Sequence, residues 1–98
     1  MQKNKSYLMN LEEKYKKLKE LLEQDEFPKE YLFKFIILTN PHKENEVKSC
    51  FDENAKFRFN KSKSNKYTTI NILQEMASSQ AVIDKYILVS KINDVIHL

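Results

Sequence analysis

The side chains best suited to chemistry in this sequence cluster in one short stretch. Lys56, Arg58, Lys61, Lys63 and Lys66 fall between residues 56 and 71, where no acid occurs. That local excess is larger than the net charge of +3 carried by the whole chain. Ser62, Ser64, Asn65 and Thr68 lie among these cations, and ammonium, hydroxyl and amide groups together bind phosphate or carboxylate oxygens. The candidate ligand- or partner-binding set is therefore Lys61, Ser62, Lys63, Ser64, Lys66 and Tyr67. Two plainer roles compete with it. Lysines on a hairpin also discourage unwanted edge pairing, and the stretch 56–67 could serve as a basic surface for nucleic acid. A single arginine weakens the last reading, since guanidinium is the group suited to bidentate recognition.

Other reactive residues are sparse. His42 stands near Glu44 and Glu46, too few ligands for a metal site. Cys50, the one cysteine, sits among the apolar positions of a short helical pattern and reads as a small hydrophobe. It cannot form an intrachain disulfide. His97 alternates with apolar neighbours. Phe57 and Phe59 share one face of an alternating segment and read as core. No nucleophile, base and oxyanion donor can be assembled. The chain contains no glycine, which removes the phosphate loop, the dinucleotide-binding turn, the nucleophile elbow and the EF-hand loop. A non-enzymatic domain without metal or cofactor is expected.

The elements that position these residues follow from periodicity. Leu8, Leu11, Tyr15, Leu18 and Leu22 recur at spacings of three and four, predicting an amphipathic helix over 1–26 that Phe27-Pro28 stops. From Tyr31 to Leu38 the period becomes two and both faces are largely apolar, as in a central strand covered on two sides. Asn40-Pro41 opens a short helix that Asn54 could end. Strands follow over 55–60 and 67–73, separated by the Lys61–Lys66 turn. Ser78 and Ser79 cap a helix bearing Val82, Ile83, Tyr86, Ile87 and Val89. Val95–Leu98 reads as a last short strand.

The predicted class is α+β: a ferredoxin-like β-α-β-β-α-β sandwich over 27–98, preceded by a helical extension over 1–26. Its four-stranded antiparallel sheet carries two helices on one face. The other face would present Leu32, Ile36 and Leu38. The N-terminal stripe (Leu8, Leu11, Tyr15, Leu18, Leu22) is the expected cover for that face, or else the seam of a homodimer. No apolar run approaches the roughly 18 residues of a membrane span, and a cytoplasmic address is expected.

Several segments resemble the YbeD-like family of small bacterial domains of unknown function. These are Phe27-Pro28 with Tyr31-Leu32-Phe33-Lys34-Phe35, and above all Ser62-Lys63-Ser64-Asn65-Lys66-Tyr67-Thr68-Thr69-Ile70-Asn71-Ile72. Val82-Ile83, Tyr86, Leu88, Ile92, Val95-Ile96 and Leu98 fit the family's last helix and strand. The resemblance implies a ferredoxin-like domain similar to ACT regulatory domains, with a regulatory role and a protein partner or small anionic effector. Where family members often carry glycine in the turn, this chain has Ser64 or Asn65. The loop Thr39-Asn40-Pro41-His42 also lacks the glycine of ACT ligand loops.

Overall fold

The computed structural model describes residues 13–97. Helix α1 covers 13–22. It stops before Pro28 because the Gln24 and Asp25 N–H groups donate to the Leu21 and Leu22 carbonyls, winding the last turn tight. Leu8 and Leu11 lie outside the described residues.

Strand β1 (Lys29–Leu38) begins two residues earlier than periodicity predicts, because Lys29 and Glu30 pair with Met76 and Glu75. Helix α2 (Pro41–Ser49) starts as its sequence dictates. Asn40 accepts from the His42 N–H at 2.9 Å, and Pro41 occupies the first turn, where its missing N–H costs nothing. It ends at Cys50, well short of Asn54. The Cys50 and Phe51 N–H groups donate to the Val47 and Lys48 carbonyls, three residues back.

Strand β2 is Lys56–Lys61 and β3 is Tyr67–Met76. β3 runs three residues past the expected Leu73. Gln74 continues the inward alternation although it is polar, because its carboxamide is satisfied. It accepts from the Asp52 N–H at 3.1 Å and donates to the Asp52 carboxylate at 3.2 Å. Helix α3 (Ser79–Ser90) is capped by the Ser78 hydroxyl, which accepts from the Ala81 N–H at 3.1 Å. Strand β4 is Val95–His97.

The four strands form one antiparallel sheet in the order β2-β3-β1-β4. With three helices this makes an α+β domain. One face is the core. Phe33, Phe35 and Ile37 of β1 meet Ile70, Ile72 and Met76 of β3, with Val47 from α2, Phe51, and Val82, Ile83, Tyr86 and Val89 from α3. The aromatic rings interlock: Phe33 lies 5.1 Å from Phe51 and 5.2 Å from Tyr86, both edge-on. The fully buried Thr68 hydroxyl bonds to that of Thr39 at 2.9 Å.

Helix α1 joins this same layer. Tyr15 and Leu22 are buried in the core, Leu18 packs against it, and the Tyr15 ring stacks on Tyr86 at 6.2 Å. The described part of the N-terminal stripe therefore adds to the helix side of the sheet. The expectation that β1 is covered on both faces is not met. Leu32 and Ile96 are each 56% exposed and Leu38 is 49% exposed. Among the described residues, no helix lies over the outer face, and none is long and apolar enough to cross a membrane.

Candidate functional site

The basic hairpin is built largely by its own serines. The Ser62 N–H donates to the Tyr67 carbonyl at 2.9 Å, and the Ser62 hydroxyl accepts from the Tyr67 N–H at 3.1 Å. The Ser62 carbonyl accepts from the Asn65 N–H at 2.9 Å, while Ser64 Oγ lies 3.4 Å from both Ser62 Oγ and the Lys66 N–H. Asn65 sits at φ 59°, the left-handed region that asparagine tolerates better than most residues. The Thr39 N–H donates to the Lys66 carbonyl at 2.8 Å and ties the turn to β1. The hydroxyls predicted to hold a ligand thus hold the turn. Lys61, Lys63 and Lys66 are exposed around its tip, and the Lys66 ammonium lies 5.5 Å from the centre of the half-exposed Tyr67 ring.

The convergent arrangement lies beside the hairpin, on the outer face of the sheet. There a shallow groove of about 600 Å³ is lined by Leu32 and Lys34 of β1, Lys56, Arg58 and Asn60 of β2, and Thr69, Asn71 and Leu73 of β3. The ladder fixes its rows. Asn71 pairs with Lys34 on one side and with Arg58 on the other. Leu73 pairs with Leu32 and with Lys56 in the adjacent row. At about 4.8 Å per strand, the Lys34 and Arg58 backbones stand roughly 10 Å apart with the Asn71 carboxamide between them. Among the described residues, Lys34, Lys56 and Arg58 have no ion-pair partner. The acids on this face, Glu30 and Glu75, face each other across the ladder at one end, beyond the leucines. A second hollow, lined by Ile36, Asn60, Lys61, Ser62, Tyr67, Thr69 and Ile96, continues toward the hairpin.

Sequence reasoning marked Lys56 and Arg58 as part of the basic stretch but missed Lys34 and Asn71. A signal for Lys34 existed: it is the one cation in a strand otherwise apolar from Tyr31 to Leu38. Nothing local distinguishes Asn71, whose importance comes from its two neighbours.

The remaining candidates are dispersed. His42 is exposed in the first turn of α2. Among the described residues, no group of three metal-ligating side chains forms. Cys50 caps α2, its thiol donating to the Glu46 carbonyl at 3.5 Å. Burial pushes that thiol above its ordinary pKa, the nearby Lys85 opposes the shift, and Glu46 adds to it. Such a group is a poor nucleophile at neutral pH. Phe57 packs against the core, edge-on to Phe51 at 6.3 Å, whereas Phe59 is 36% exposed at its margin. The Lys48 ammonium lies over both rings. The backbone of His97 pairs with Phe35 at the sheet edge.

Comparison with family models, with curated proteins and with solved structures finds no match for this chain. Its role has to be read from its own surface.

Proposed function

We propose that the chain is a non-enzymatic binding domain with the ferredoxin-like β-α-β-β-α-β arrangement, which recognises an anionic partner on the outer face of its sheet. The element order and the strand order β2-β3-β1-β4 support the fold reading. Membership of the YbeD-like family belongs to the same proposal and rests on the segment 62–72. The observation that carries the function is the cationic row. Lys34 and Arg58 flank Asn71, Lys56 stands beside them, and among the described residues none of the three has an ion-pair partner. Three unpaired cations around a groove repel one another, and an anion relieves that repulsion. The best placed nucleophiles are committed elsewhere: the Cys50 thiol is held protonated, and the turn serines bond backbone.

A protein partner with acidic side chains, or a small anionic effector, fits this surface. A second reading is an accessory module for nucleic acid that uses the hairpin 56–67. It is favoured by the half-exposed Tyr67 ring beside Lys61 and Ser62. Fluorescence anisotropy with a labelled Glu/Leu-rich peptide and with a labelled single-stranded RNA, each at low and high salt, separates the two. The leading reading expects peptide binding that Lys34→Glu and Arg58→Glu abolish. The second expects RNA binding that falls steeply with salt and is lost in Lys63→Glu with Lys66→Glu.

A further inference from the structure

The outer groove has a feature that charge alone does not require: an apolar shelf built into the same hollow as the cations. Leu32 and Leu73 are register partners one row from Lys34, Asn71 and Arg58, and all five residues line the groove. Successive rows on one face are about 7 Å apart. The row of Lys34, Asn71 and Arg58 and the apolar pair are therefore separated by roughly the length of a small organic molecule, with Lys56 at the end of the apolar row. The volume, about 600 Å³, falls within the range of small-molecule sites.

We propose that this groove binds a small organic anion, its phosphate or carboxylate held by Arg58, Lys34 and Lys56 over Asn71 and its apolar body resting on Leu32 and Leu73. This deepens the anionic-partner reading above and rests on it. Arg58 supplies the planar, bidentate donor that matches either head group, and the two lysines supply point charges. Asn71 offers an amide donor from the floor of the groove. The far end argues against a longer anion. Glu30 and Glu75, opposed on the same face beyond the leucines, repel a polyanion that continues past the shelf. An apolar tail meets no such penalty there.

The test is amide chemical-shift mapping of the whole chain with three probes: phenyl phosphate, phenylpropionate and inorganic phosphate. The proposal expects saturable shifts at Leu32, Lys34, Arg58, Asn71 and Leu73 with one or both aryl anions. Inorganic phosphate should bind at least several-fold more weakly. Arg58→Gln should weaken the aryl anion roughly tenfold, the loss expected for a charge-assisted contact. Leu32→Ser should weaken the aryl anions but leave inorganic phosphate unchanged. Thermal midpoints of both variants serve as the control for folding. Equal affinity for all three probes overturns the shelf, and shifts spread over Lys61–Lys66 overturn the site. If a Glu/Leu-rich peptide moves the groove amides while the aryl anions do not, the small-ligand proposal fails and the outer-face reading survives. If neither moves them, both fail.

Discussion

Lys34 and Asn71 are register partners on the face of the sheet that no described helix covers. Neither residue is a choice that stability would make. Both types are depleted in strands, and both occupy interior strands, where β-branched residues fit best. Under the proposed anion-binding role, the pair serves contacts made outside the chain.

Replacing Lys34 with isoleucine should therefore leave the fold as stable or raise its stability, by up to about 1 kcal/mol, while weakening anion binding several-fold. Urea denaturation measures the first effect and titration the second. Destabilisation by more than that amount would assign Lys34 a structural role.

Tyr86 gives the fold a dependence on alkaline pH. Burial and then the 2.9 Å hydrogen bond with the Tyr31 hydroxyl push its phenol above the ordinary value of 10.0. A raised folded-state pKa means that the unfolded chain loses the proton first. The contribution is thus complete below about pH 10 and is lost as pH rises beyond it. Melting temperatures taken from pH 8 to 11 should fall more steeply for the native chain than for Tyr86→Phe. Parallel curves would place the dependence on other groups.

Gln74 is a buried polar residue whose worth lies in Asp52. Gln74→Ala should cost about 1–3 kcal/mol, through an unpaired Asp52 N–H and a small void. Asp52→Ala removes one hydrogen bond at a half-exposed site and should cost less. Chemical denaturation of the two variants orders them, and the reverse order would contradict the geometry.

Cys50 should alkylate slowly at neutral pH. Its pH–rate profile with iodoacetamide should rise at a pH above that of a free thiol, in keeping with the upward shift that burial imposes. Fast reaction near pH 7 would revive a nucleophilic role for this residue.

Helix starts were legible because their chemistry is local. Asn40-Pro41 and Ser78 carry their capping partners within three residues. Strand alternation was equally readable in Phe33, Phe35 and Ile37. The end of β3 was not, since Gln74 counts as a strand residue only once distant Asp52 satisfies it. The layer chosen by α1 was also hidden. The amphipathic stripe specifies that a face is buried, whereas the stacking of Tyr15 on Tyr86 decides against what. The candidate site was half visible. Lys56 and Arg58 stood out as charge, but they form a cluster with Lys34 only through Asn71, and strand register creates that relationship.

The most direct test of the central claim is where an anion perturbs the backbone. In amide chemical-shift mapping with phenyl phosphate, saturable shifts are expected at Leu32, Lys34, Arg58, Asn71 and Leu73, all requiring roughly tenfold more ligand in Arg58→Gln. Shifts confined to the turn from Ser62 to Lys66, or unchanged by Arg58→Gln, would contradict it.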